Sequence, residues 1–120
     1  MTRALTDGSA DSSIEVGKHR VYGLPVDAET RCVHWAGRTD VVAIAFHCCG
    51  RLFPCHACHD AVADHPAERW PRDERDTRAI LCGVCTTLLP IADYLLVDAC
   101  PLCNAPFNPA CRFHHPLYFA

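Results

Sequence analysis

Three Cys-x-x-Cys pairs, Cys55/Cys58, Cys82/Cys85 and Cys100/Cys103, constrain this chain more than anything else in it. Each pair can chelate one ion, and two of them carry the small or turn-forming residues, Gly83 and Pro101, that tight metal knuckles use. Zinc takes four tetrahedral ligands, and its structural sites are commonly four cysteines, Cys₃His or Cys₂His₂, so each pair needs two further donors. Apart from His19, which reads as a surface residue, the remaining cysteines and histidines outside the N-terminal tail and the last predicted helix are Cys32, His34, His47, Cys48, Cys49, His56, His59 and His65.

Composition says why such sites are needed. Leu, Ile, Val and Phe together make 28 of 120 residues, whereas ten are Cys. A domain this short is marginal unless something cross-links it, and here the cross-linker is cysteine chemistry. Met1 to Ser13 has no apolar run and does not read as a signal peptide, nor does any stretch reach the roughly 18 apolar residues of a spanning helix. The expected compartment is therefore the cytoplasm, where thiols stay reduced and serve as metal ligands rather than disulfides.

Local geometry sorts the donors. Side chains two apart in an extended segment point the same way, so Cys32 and His34 are expected to share an ion with Cys55 and Cys58. Adjacent residues do not share an ion easily, which assigns Cys48 and Cys49 to different ions and sends His59 away from the ion of Cys58. The expectation is three Cys₃His sites holding three zinc ions, with Cys48, Cys49, His59 and His65 divided between the Cys82/Cys85 and Cys100/Cys103 knuckles. Spacing leaves that division open, with His56 or His47 as substitutes for His59 or His65.

The fold class predicted is a small α+β zinc-stabilised domain, with short strands and helical turns organised around three interleaved zinc sites. Residues 1–15 read as a disordered polar tail and residues 16–120 as the domain. Val21–Val26 is a broken apolar piece, Asp40–Phe46 a buried strand and Arg51–Phe53 its return. Cys58–His65 reads as a short helix stopped by Pro66, Arg69–Arg78 as a solvated loop and Ala79–Leu81 as a strand. Pro90–Leu95 reads as one helical turn, and Asn108 as the cap of a helix over Pro109–His115. Leu117, Tyr118 and Phe119 are expected to return to the body.

The order Cys32-x-His34-Trp35, Cys48-Cys49, Cys55-x-x-Cys58-His59-Asp60, Asp64-His65, Cys82-x-x-Cys85, Cys100-x-x-Cys103 resembles the CHY zinc finger family. The resemblance extends over Val21 to Phe119, with Trp35 where the name-giving Tyr would stand. It implies a second ion on Cys48, His59, Cys82 and Cys85, and a third on Cys49, His65, Cys100 and Cys103. Some family members precede a RING domain in ubiquitin ligases. A stand-alone yeast member assists import and assembly of small cysteine-rich proteins in the mitochondrial intermembrane space, and this short chain resembles that form.

Three thiolates and one Zn²⁺ carry a net charge of about −1, so three Cys₃His sites would take the formal −3 to about −6. With basic residues scattered, neither nucleic acid nor membrane is an expected partner. Four ligands per ion leave no open position for catalysis, and no Gly-rich phosphate loop, His-Glu-x-x-His helix or Gly-x-Ser-x-Gly elbow is present, so no enzyme is expected. The primary functional expectation is a structural zinc module that binds a protein partner. The alternatives are a thiol-redox or zinc-handling factor for cysteine-rich clients, motivated by the surplus Cys111, and the substrate-binding part of a ubiquitin-ligase system. Cys111, near His114 and His115, reads as a small buried hydrophobe, a reactive thiol in a helix's first turn or a part-time ligand.

Overall fold

The computed structural model describes residues 13–120, except the side chains of Cys111 and Arg112, so the expectation for Cys111 lies outside the described residues. Most of the expected tail lies outside them too. Its last residues do not fit the expectation, because β1 (Ile14–Val16) begins there. β1 forms a hairpin with β2 (His19–Val21) across Gly17, whose φ of 62° suits the tight reversal. Val16 and Val21 point inward while Glu15 and Arg20 face solvent, the period-2 alternation of a half-buried strand.

β3 (Val42–Ala45) lies inside the sheet, antiparallel to β4 (Leu52–Phe53) on one side and to β5 (Arg78–Cys82) on the other. β6 (Leu88–Pro90), not anticipated from the sequence, returns antiparallel beside β5. The sheet order is β1-β2-β4-β3-β5-β6, and its parallel contact is the Val21–Leu52 pairing of β2 with β4. Alternation sorts the strands between two faces. Ile44, Phe53, Ile80 and Cys82 enter the main core, and Ala43, Leu52 and Leu81 join Val16 and Val21 in a smaller cluster.

α1 (His56–Val62) starts two residues before the expected helix and ends three before it, with Ala63 already extended. Pro66 disfavours helical backbone at His65, so His65 lies on the loop rather than the helix. α2 (Ile91–Leu95) follows Pro90 as expected. The Asn108 side chain accepts the Ala110 N–H at 2.9 Å, capping a 3-10 turn over Pro109–His114 that runs on into α3 (His115–Tyr118).

The Arg69–Arg78 run includes a 3-10 turn at Arg72–Glu74, and its Trp70 is an anchor. Trp70 donates its backbone N–H to Tyr118 O and its indole N–H to Ala45 O, both at 2.7 Å, and accepts from the Ala120 N–H at 2.9 Å. Tyr118 and Phe119 are consequently buried, whereas Leu117 stays 45% exposed.

Candidate metal centres

Among the described residues, the twelve donors named from the sequence lie in three groups of four, Cys32/His34/Cys55/Cys58, Cys48/Cys49/His59/His65 and Cys82/Cys85/Cys100/Cys103, with the donor atoms of each group within 4.8 Å of one another. His47 and His56 stand outside all three. His47 faces Glu68 and Glu74 against Trp70, and His56 faces Asp60 at 3.2 Å.

The first group forms where the Cys32-Val33-His34 segment meets the start of α1. Cys32 Sγ lies 3.6 Å from Cys55 Sγ, and His34 turns Nδ1 to within 3.4–3.8 Å of the three sulfurs. Cys55 caps α1, accepting the Cys58 N–H, while the Leu24 N–H donates to Cys58 Sγ, each at 3.4 Å.

The second group corrects the expected division. Cys48 and Cys49 belong together, with their sulfurs 3.9 Å apart. Strand alternation does not govern them: the chain turns from Phe46 to Gly50, both Cys49 and Gly50 donating to Phe46 O, and in a turn neighbouring side chains can converge. The rule does hold for Cys58 and His59, which sit on a helix and serve different groups. His59 Nε2 lies 3.3 Å from Cys48 Sγ and 3.3 Å from His65 Nε2, closing the group.

The third group then consists of the two remaining knuckles alone, with Cys82–Cys103 and Cys85–Cys100 sulfur distances of 3.7 Å. The knuckles share one geometry. Thr86 and Asn104, each just past its second cysteine, have φ of 61° and 65° and donate their N–H to Cys82 O and Cys100 O, both at 2.8 Å. The first two groups interleave along the chain; the third does not. In place of three Cys₃His sets, the donor sets are Cys₃His, Cys₂His₂ and a set of four cysteines.

Whether these sets fit zinc follows from distances. An ion about 2.3 Å from sulfur and about 2.0 Å from nitrogen at tetrahedral angles requires edges of about 3.8 Å between sulfurs, about 3.5 Å between sulfur and nitrogen and about 3.3 Å between nitrogens. The separations given above lie close to these edges, and the other donor atoms of each group lie within 4.8 Å of one another. The chemistry agrees. Cys32, Cys55 and Cys58 are buried together, and hydrogen bonds from Cys55 and Cys58 hold the Cys32 thiol far down, at about 2, while the same contacts push Cys55 up and Cys58 to about 11. One negative charge is shared where a cation would permit three. In the third group burial pushes Cys82 up to about 12, whereas Cys85 is lowered to about 7 against its own partial burial by hydrogen bonds centred on Thr87, Cys82 and Cys100.

His59 is fully enclosed, stacked on Phe46 at 4.4 Å and edge-on to Phe53 at 4.9 Å. Burial lowers its pKa, so the ring stays neutral, with a nitrogen lone pair available to a metal. His65 Nδ1 lies 2.9 Å from Asp64 Oδ1, a carboxylate–histidine pairing that leaves Nε2 free to ligate. The sequence names Asp64 in a motif but does not reveal this role. Trp35 packs against the core and edge-on to His114 at 5.2 Å.

Comparison with known proteins agrees with this geometry. The CHY zinc finger family model matches residues 32–108. The protein Helper of Tim protein 13 of Saccharomyces cerevisiae is 41% identical over 103 residues, covering 82% of this chain and 89% of that protein. Its namesake in Kluyveromyces lactis is 38% identical over 102 residues, covering 85% and 90%. A BRUTUS-like zinc finger protein of Arabidopsis thaliana is 30% identical over 92 residues, 75% of this chain but 7% of that protein. No solved structure matches.

Proposed function

Because the chain belongs to the CHY zinc finger family, we propose that it is a non-catalytic zinc protein whose three four-coordinate centres hold up a surface for a protein partner. The observation that carries this reading is the completeness of each donor set: four donor atoms within 4.8 Å of one another would fill the four positions of a tetrahedral ion and leave none for a water or substrate. Thin apolar content supplies the reason, since metal binding then provides much of the folding free energy. Two relatives bear the name Helper of Tim protein 13, which describes assistance to another protein and favours a protein as the partner here as well. We place the chain in a reducing compartment, the cytoplasm, where its thiols remain available.

A second reading, in which the centres hand zinc or thiols to a cysteine-rich client, is motivated by the surplus Cys111 and the exposed Cys103. Native mass spectrometry separates the possibilities, run on the full chain with and without a strong chelator and with a count of fast-reacting thiols. The structural reading expects three zinc ions, unfolding on their removal and at most one slow thiol. Several fast thiols with release of zinc would favour the handling reading, and a stable fold without metal would contradict both.

A further inference from the structure

We infer that the three centres differ in accessibility, and that the four-cysteine centre of Cys82, Cys85, Cys100 and Cys103 is the one that yields its zinc to oxidants while the other two hold the fold. The inference rests on the reading of three zinc centres and goes beyond it by assigning unequal roles. Oxidants attack zinc-bound thiolates at sulfur, so thiolate exposure and electron density decide which centre reacts first.

The first centre is shielded at every sulfur. Cys32, Cys55 and Cys58 are 0%, 5% and 0% exposed, and its solvent-facing ligand is His34, an imidazole that does not undergo thiol chemistry. The second centre offers two half-buried thiolates, and with two neutral histidines its net charge is about zero. The third has four thiolates and a net charge of about −2, which makes its sulfurs the most electron-rich. It also reaches the surface: Cys103 is exposed, Cys85 half-buried, and the knuckle residues Val84 and Leu102 are 44% and 65% exposed.

The sulfur pairs that face each other across this centre are close enough to couple after a small movement, Cys82 with Cys103 and Cys85 with Cys100 at 3.7 Å. With hydrogen peroxide as the oxidant, the Cys103 thiolate attacks one peroxide oxygen, the O–O bond breaks and a sulfenic acid and hydroxide form. The Cys82 thiolate then attacks that sulfur, forming the disulfide and expelling a second hydroxide. Two electrons pass from two sulfurs to one peroxide, and two protons from solvent convert both hydroxides to water. A centre left with two thiolates no longer retains its ion. The new bond still ties the end of β5 to the 100–103 knuckle, so the change is local and a dithiol reductant reverses it.

The test uses the full zinc-loaded chain, its ions counted by native mass before hydrogen peroxide is added. Zinc release is followed with a chromogenic chelator, and disulfides are located by alkylation and peptide mass mapping at each stage. One ion is expected to leave at least about tenfold faster than the others, together with a disulfide inside the set Cys82, Cys85, Cys100 and Cys103. Simultaneous release of all three, or a first disulfide involving Cys32, Cys48, Cys49, Cys55 or Cys58, would overturn the inference. Fewer than three ions before peroxide would instead overturn the three-centre reading on which it rests.

Discussion

Asp64 supplies no donor to the Cys₂His₂ set, yet its carboxylate beside His65 Nδ1 decides which nitrogen of that ring faces the cluster. Asp64→Asn is expected to lower zinc affinity at that centre by about tenfold, measured by competition with a chelator, while the other two are unchanged. Gly83 is fixed by a different constraint. A Cβ there would run into the Glu29 carbonyl, because the Asp27–Arg31 turn presses on the knuckle, and Gly83→Ala is expected to cost about 1–3 kcal/mol in thermal or denaturant unfolding. Protonation completes this scale. Cys58 and Cys82, raised to about 11 and 12, hold protons at neutral pH that zinc must displace, so zinc addition should acidify an unbuffered solution and affinity should rise with pH. His59, whose pKa is shifted the other way, gives the same direction of pH dependence. Its folded pKa lies below an unfolded value of about 6.5, so its contribution to stability is full above that pH and is lost as pH falls through the folded value.

Among the elements, turns carry more of the site than strands do. The first centre was legible because Cys32-x-His34 is an extended pair and Cys55-x-x-Cys58 a helix start, two geometries in which sequence spacing fixes direction. The Phe46–Gly50 turn and the loop after Val62 are not legible, because side-chain direction there depends on backbone dihedrals that spacing does not encode; the expected division of Cys48, Cys49, His59 and His65 between two knuckles therefore gives way to one group of four. The β1 and β6 strands are not legible for a related reason, since three residues give too little alternation to read. The knuckle turns offer a test at this scale. Asn104 is exposed with φ of 65°, a conformation Asn tolerates and a β-branched residue resists, so Asn104→Val is expected to lower stability by about 1 kcal/mol, read from the unfolding midpoint.

For the whole molecule, one sheet distributes the three centres unevenly. Two interleaved donor sets gather around the start of α1 and the 46–50 turn, beside the Phe46, Phe53 and Tyr118 rings, while the third closes beyond the end of β5. With three zinc ions bound, the total charge would not depend on how the ligands are divided: three Cys₃His sets and the observed Cys₃His, Cys₂His₂ and four-cysteine sets would both take the formal −3 to about −6. What changes is where that charge sits, and it concentrates on the exposed knuckles. Composition made the need for metal legible, whereas the division of ligands waited on tertiary structure. Cadmium NMR of the fully substituted chain tests that division most directly, because the shift reports how many sulfurs each ion has. The account predicts three equal resonances, one each from four-sulfur, three-sulfur and two-sulfur coordination; three resonances of the three-sulfur kind would contradict it.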